Sequence, residues 1–201
     1  MMLGYIASKM PPGRPFNSAH TAAARTAAID LLEEQGYAAI TMEAVAERTG
    51  ISKQALYRRW KHKRHLVVDA FAEKADLLPD LPDTGTLQGD LQAFLRATFS
   101  MLRGTCGMTN RVLFTEALQD PEFLLEFRER HLIRRRRQVS ALLQRAADRG
   151  ECDLPADDTL VDLVLGPVWY RLLLQNAPLD EATADKFAKY FCHLVCSVEP
   201  T

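Results

Sequence analysis

The chain is 201 residues long, 47% hydrophobic and 25% charged, with a formal net charge of −1. That composition suits a globular protein with one small module and one core-bearing domain. It excludes a disordered polyelectrolyte, and no stretch reaches the ~18 apolar residues of a membrane-spanning helix. The charge is unevenly spread. Residues 1–70 hold ten Lys/Arg against six Asp/Glu, while residues 71–201 hold fifteen against twenty, so a basic head is joined to an acidic body.

Residues 1–18 read as a flexible arm, because Pro11, Pro12, Gly13 and Pro15 leave no room for a helix. Its Lys9 and Arg14 suit the narrow minor groove of A·T-rich DNA, where arginine is favoured. Without DNA the arm reads equally well as a disordered tail. The opening MMLGYIASKM has too short an apolar run and no cleavage-site pattern for a signal peptide. The four cysteines (Cys106, Cys152, Cys192, Cys196) are scattered, as in reduced thiols, so a cytoplasmic protein is expected.

A first helix is predicted over 18–35, with Ala24, Ala27, Ala28, Leu31 and Leu32 as its apolar stripe and Gly36 as its C-terminal cap. Residues 41–63 then read TMEAVAERTGISKQALYRRWKHK. Thr41 caps a short helix whose inner face is Met42, Val45 and Ala46. Gly50 makes the turn, since glycine takes a positive φ without steric cost. Ser52 caps the next helix, which packs through Ala55, Leu56 and Trp60. Lys53, Gln54, Tyr57 and Arg58 are left on the outside, a set suited to phosphates and base edges. From Lys53 to Arg64 there are six Lys or Arg and no acid. This is the helix-turn-helix plan, whose second helix enters the DNA major groove.

The run AAIDLLEEQGYAAITMEAVAERTGISKQALYRRWKHKRHL resembles the N-terminal domain of the tetracycline-repressor (TetR) family of bacterial transcription regulators. The resemblance rests on Gly36-Tyr37 after the first helix, capping Thr41, the Gly50 turn and the Leu56-Tyr57 pair. Trp60, where the family more often has Phe, and Lys63 at the start of a fourth helix complete it. It implies a connecting helix between head and body, here 63 onward through Leu66, Val67, Ala70, Phe71 and Ala75, whose tilt sets the spacing of two heads in a dimer.

Residues 79–89 (PDLPDTGTLQG) read as a linker. Beyond it Leu91, Phe94, Leu95, Thr98, Phe99 and Leu102 share one face of a fifth helix, which Gly104 and Gly107 are expected to break. A helix over 109–119 is expected to turn Val112, Leu113, Phe114 and Leu118 inward. Asp120-Pro121-Glu122 is a strong helix start. With no proline or glycine until Gly150, one unbroken helix of ~45 Å is predicted from there. Its inner face is Phe123, Leu124, Phe127 and His131, then Val139, Leu142, Leu143 and Ala146. The run Arg134-Arg135-Arg136-Arg137 covers about a full turn, so at least one arginine faces the protein. Either these arginines pair with Glu126, Glu129 and other acids in solvent, or one of them binds an anionic effector or touches the head.

A helix over 156–175 is apolar nearly all round through Leu160, Val161, Val164, Leu165, Val168, Trp169 and Leu172, with Gly166-Pro167 predicting a kink. The last, over 180–198, carries Phe187, Tyr190, Phe191, Leu194, Val195 and Val198 at helical spacing. Together they suggest a four-helix dimer interface through Leu165, Val168, Leu172, Phe187, Phe191, Leu194, Val195 and Val198, which the family resemblance also implies. The alternative is that both helices simply close the monomer core.

Cys192 and Cys196 lie one helical turn apart, but no second ligand pair accompanies them, so no metal or other cofactor is predicted. A thiol switch stays open. No phosphate-binding glycine loop, Gly-x-Ser-x-Gly or His-Glu-x-x-His occurs, so no enzyme is expected. The effector pocket is assigned to Phe99, Met101, Met108, Phe114, Phe127, Trp169 and Tyr170 as walls, with His131 and Arg171 as polar groups. Each of the wall residues is also an ordinary core residue.

The expected fold is therefore all-α, about nine helices. Residues 1–18 form an arm, 19–65 a three-helix DNA-binding domain, and 66–201 a helical effector-binding and dimerisation domain. The expected function is that of a homodimeric repressor released from an inverted-repeat operator on double-stranded DNA by a small-molecule effector, with no membrane partner. DNA contacts are assigned to Lys53, Gln54 and Tyr57 for bases, and to Thr41, Ser52, Arg58, Lys61, Lys63 and Arg14 for phosphates and the minor groove. The alternatives are a DNA-organising protein of the same fold without an effector, and a cysteine-based redox sensor.

Overall fold

The computed structural model describes residues 18–76, 81–152 and 157–196. Residues 1–17 of the arm with Arg14, Pro79, the Pro155-Ala156 helix start and Val198 lie outside that set. All elements of the described residues are helical.

Helix α1 (Ser18–Gln35) buries Ala24, Ala27, Ala28, Leu31 and Leu32. Gly36 ends it at φ 84, with its N–H returning to Leu32 O at 2.9 Å. This left-handed cap would strain any side chain. After a single 3-10 turn (Tyr37–Ala39) come α2 (Met42–Thr49), α3 (Lys53–Arg59) and α4 (Lys63–Asp76). The alanines of α1 let it pack closely against α4. Leu31, Ile40, Val45, Leu56, Trp60, Leu66 and Phe71 form their common core. That core does not stop at the head. Leu113, Phe123 and Phe127, far along the chain, belong to it as well.

The body consists of α5 (Leu87–Leu102), α6 (Thr105–Gln119), α7 (Pro121–Phe127), a π-helical turn (Arg128–Leu132), α8 (Ile133–Asp148), α9 (Asp158–Leu174) and α10 (Glu181–Val195). Helix α10 lies along α5, and α8 and α9 complete a second core around Leu91, Phe99, Leu142, Val168 and Ala188. Side-chain caps start most of these helices. Thr86 accepts from Gly89 N at 3.1 Å, Asp120 from Glu122 N at 3.0 Å, Asp157 from Leu160 N at 2.9 Å and Asp180 from Thr183 N at 2.8 Å. Each such cap contributes about 1 kcal/mol.

Two elements differ from expectation. Helix α6 begins at Thr105, and Gly107 lies inside it rather than breaking it. A Cβ on Gly107 would stand 1.9 Å from Leu102 O, so glycine is there to let α5 and α6 meet. The inner face of α6 is Asn110, Leu113 and Ala117, leaving Val112 and Leu118 exposed. Buried Thr109 and Asn110 bond to Thr105 O and Cys106 O one turn back, both at 2.9 Å, which removes the cost of burying them. The long helix is also interrupted. At the π turn Ile133 N–H reaches back five residues to Arg128 O, inserting one extra residue and shifting the face that α8 presents. As expected, α9 is one helix with Pro167 inside it.

Candidate DNA-binding face and internal cavity

The head presents α3 as a ridge. Thr41 Oγ1 accepts from Ala44 N at 3.0 Å and Ser52 Oγ from Ala55 N at 3.3 Å, so both hydroxyls cap helices at the exposed surface. Gly50 turns the chain at φ 70. Leu56 and Trp60 anchor the inner side of α3, while Lys53, Gln54, Tyr57 and Arg58 are exposed. Lys53 lies 3.1 Å from Glu43, and exposed Lys61 lies 2.7 Å from Glu122. These are weak, solvent-screened pairs that a phosphate can replace. Lys63 is placed differently. Its ammonium donates to Tyr37 O at 3.1 Å and stands 4.3 Å from the Tyr37 ring centroid, and burial lowers its pKa. It braces the 3-10 turn against α4.

Asp69, on α4 and 3% exposed, ties this head to the body. Its carboxylate accepts from Trp60 Nε1 at 3.0 Å and from Arg25 Nη2 at 2.9 Å. Arg130, in the π turn, donates to its other oxygen. The end of α3 and the π turn therefore share one buried anion. Around it Arg64 pairs with Asp120, His65 Nδ1 faces Glu126, and the Tyr37 hydroxyl donates to Glu116 at 3.2 Å.

Beneath this junction lies a cavity of about 700 Å³. Its walls come from α1 (Ile29, Leu32), α4 (Phe71), α5 (Phe94, Met101), the π turn (His131), α8 (Arg135) and α9 (Trp169), among others. The size is that of an ordinary small-molecule pocket, mostly apolar with a few polar groups. His131 stacks on Phe127 with ring centroids 5.0 Å apart, and its Nε2 lies 2.6 Å from Asn110 Oδ1. Asn110 Nδ2 donates to Cys106 O, so Oδ1 is the acceptor facing the ring and Nε2 carries the proton. Burial first, then the charge of Arg135, lowers the imidazole pKa to about 4, so the ring is neutral near pH 7.

Of the residues assigned to a pocket from sequence, Met101, His131 and Trp169 line this cavity. Phe99 and Phe127 are buried in the two cores, and Phe114 stands behind Trp169 with ring centroids 5.6 Å apart. Met108 and Tyr170 are exposed on the surface. Arg171 donates to Pro178 O at 2.7 Å and lies over Phe187. Sequence reasoning did not place Phe94, Asn110 or Arg135 at the cavity. The arginine run signalled that one guanidinium faces inward, whereas nothing local marks Phe94 or Asn110.

The residues assigned to a dimer face also separate. Leu165, Val168, Leu172, Phe191 and Val195 are buried within the one chain and Phe187 is half-buried, while Leu194 is 66% exposed. The apolar residues left exposed nearby are Leu163, Tyr170 and Leu174 on α9 and Tyr190 on α10. Leu163 and Tyr190 line a groove together with Pro167 and Leu194. Burial pushes the Cys192 thiol up to about 12 and also raises Cys196, so both stay protonated and poorly nucleophilic. Among the described residues no group of His, Cys, Asp or Glu is arranged to hold a metal, and no helix is long and apolar enough to cross a membrane.

A capped helix pair around a left-handed glycine, with a basic second helix standing clear of the surface, defines a helix-turn-helix DNA-binding regulator. Residues 25–70 match the model described as "Bacterial regulatory proteins, tetR family", and residues 81–190 match "Tetracyclin repressor-like, C-terminal domain". The chain is similar to the HTH-type transcriptional regulator YdeS of Bacillus subtilis (strain 168), at 32% identity over 85% of this chain and 86% of that protein. It is similar also to the DNA-binding transcriptional repressor TetR of Mycobacteroides abscessus, at 33% identity over 81% of this chain and 86% of that one. Among solved structures, the TetR family transcription regulator SCO0332 superposes with a TM-score of 0.78 and 30% identity, covering 90% of this chain and 99% of that chain. The chain therefore belongs to the TetR family of bacterial transcriptional regulators. It is a DNA-binding regulator of transcription and not an enzyme.

Proposed function

We propose that the chain works in the cytoplasm as a homodimeric repressor, released from an inverted-repeat operator when a small organic effector fills the cavity. The observation that carries this reading is the shared wall. Ile29 and Leu32 belong to the DNA-reading half and Phe71 to the connecting helix α4, yet they enclose the same space as Met101, His131 and Trp169 of the body. In the π turn, His131 faces that space while its neighbour Arg130 holds Asp69, the anion that also binds Trp60 at the end of α3. A ligand that moves the turn thus moves a contact of the reading helix, and it shifts the equilibrium only by its preference for one head position over the other.

On DNA, Lys53, Gln54 and Tyr57 are assigned to base edges. Thr41, Ser52, Arg58 and Lys61 are assigned to phosphates, with Arg14 in the minor groove. Lys63 is assigned to holding the 3-10 turn beneath them. Two heads joined through α9 and α10 would read half-sites about one helical turn apart (~34–36 Å) or a multiple. A protein that only organised DNA would need no cavity walled by its own head.

The test is to incubate the purified full chain with sheared DNA of its source organism at ~150 mM salt, where non-specific binding is weak, and to sequence what it retains. A small set of fragments sharing one inverted repeat is expected. Broad retention without a common motif would instead establish the DNA-organising reading.

A further inference from the structure

The four consecutive arginines of α8 are sorted by the packed chain into different environments. Arg136 pairs with Asp158 and Asp162 on α9, and Arg137 is exposed. Arg134 and Arg135 both line the cavity. Arg134 has interactions of its own, whereas Arg135 has no carboxylate partner among the described residues. Its Nη1 donates to Gln138 Oε1 at 3.1 Å, its Nη2 lies 3.8 Å from Met101 Sδ, and its guanidinium carbon is 5.6 Å from the Phe94 ring centroid. All three neighbours are neutral.

A guanidinium in such a place is costly. Burial works against its charge and lowers its pKa, yet arginine keeps its proton in proteins. The chain thus carries an unbalanced cation against an apolar cavity, where charge is stabilised least by water. Of the other titratable groups around the space, Cys106 favours the charge, but burial outweighs it. Arg130 is held by Asp69 and Glu126. Glu33, at the α1 edge of the wall, has interactions of its own. His131 is neutral and has one ring nitrogen committed to Asn110.

We propose that Arg135 is the anchor for the carboxylate of an organic acid whose apolar body fills the cavity against Phe94, Met101, Leu165 and Trp169. This deepens the effector reading given above and rests on it for the consequence at DNA. The fork of a guanidinium donates two parallel bonds to a carboxylate, displacing the weak contacts to Gln138 and Met101. A single unbalanced guanidinium matches a single negative charge, so a monoanion fits better than a dianion. The same charge rejects cationic ligands. Neutral molecules of the same shape bury the same apolar area but leave Arg135 uncompensated, and so bind more weakly.

The test uses four probes with one tail, namely decanoate, decyl phosphate, decanol and decyltrimethylammonium, titrated calorimetrically into the full-length protein. Decanoate should bind at least about ten-fold more tightly than decanol, decyl phosphate more weakly than decanoate, and the ammonium not measurably. Arg135→Gln should erase the preference for decanoate over decanol, and Arg135→Lys should retain part of it. Decanol binding as tightly as decanoate to the unsubstituted protein overturns the proposal, whether or not the variants fold, as does failure of decanoate to bind. A variant that keeps the full preference overturns it too.

Retention of an operator fragment is read separately. Arg135-dependent binding of decanoate that leaves DNA bound supports the carboxylate site and sinks the release mechanism. Release of DNA from the unsubstituted protein by decanol or the ammonium, as efficient as release by decanoate, supports the release mechanism and sinks the carboxylate site.

Discussion

His131 shows how much one side chain in this protein depends on what surrounds it. The ring lies against Phe127, bonds to Asn110 and faces the cavity. Burial and the nearby Arg135 lower its pKa from 6.5 to about 4. The unfolded chain therefore takes up a proton near pH 6.5 that the folded chain refuses until about pH 4. Stability contributed by the neutral ring is complete above pH 6.5 and is lost progressively as the pH falls toward 4, at ~1.4 kcal/mol per pKa unit. Between pH 7 and pH 4.5, urea unfolding should show the unsubstituted protein losing about 2 kcal/mol more than His131→Gln. Equal losses would mean that the ring is protonated inside the fold. Sequence marked His131 as a polar residue on an apolar face. Its neutrality was not legible there, because burial is the main cause and the cavity walls that bury the ring come from helices distant in sequence.

Among the elements, the short helices of the head were the most legible and the joints of the body the least. Thr41, Gly50 and Ser52 act within three or four residues of themselves, through a cap bond or a backbone angle, so their roles can be read from the local string. Gly107 has the opposite character. As a string, Arg103-Gly104-Thr105-Cys106-Gly107 reads as a break, but Gly107 is helical and sits where the Leu102 carbonyl needs its space. An unconstrained helical glycine gains about 1 kcal/mol on replacement by alanine. Gly107→Ala should instead destabilise by about 1–3 kcal/mol, the cost of overpacking, seen as a lower melting temperature in differential scanning calorimetry. A raised melting temperature would show that α5 and α6 separate freely. The π turn was likewise unreadable. Arg-Glu-Arg-His-Leu contains nothing that opposes an ordinary α-helix, and only the fit of Arg130 to Asp69 and His131 to Asn110 accompanies the extra residue.

For the whole molecule, the exposed residues of α9 and α10 pose the assembly question. Leu163, Tyr170, Leu174, Tyr190 and Leu194 are all more than 45% exposed in the single chain, a clustering of large apolar groups that soluble monomers rarely leave uncovered. The residues named from periodicity, such as Leu165, Val168 and Val195, face the core of their own chain. An all-round apolar helix offers no way of telling its inner side from its outer one. If the exposed set is the dimer face, Leu194→Glu buries a charge in the partner and leaves the monomer fold intact. Light scattering after gel filtration should then show the unsubstituted protein at twice the chain mass and the variant at the chain mass, with operator affinity falling in step. A variant that remains dimeric would place the interface elsewhere.

The features legible before folding was considered are those whose physics is local. They include the capped helices, the glycine turn, the basic outer face of α3, the charge division between head and body, and through them the DNA-binding class. A cap or a left-handed glycine is decided by its nearest neighbours, and those are written in order along the chain. The cavity, the buried Asp69 junction and the separation of Arg135 from Arg136 are of another kind. Their residues are distant in sequence and unremarkable in type. Met101 at the cavity and Phe99 in the core share one helix, and which of them faces open space is settled by the packing of α8 and α9 against it.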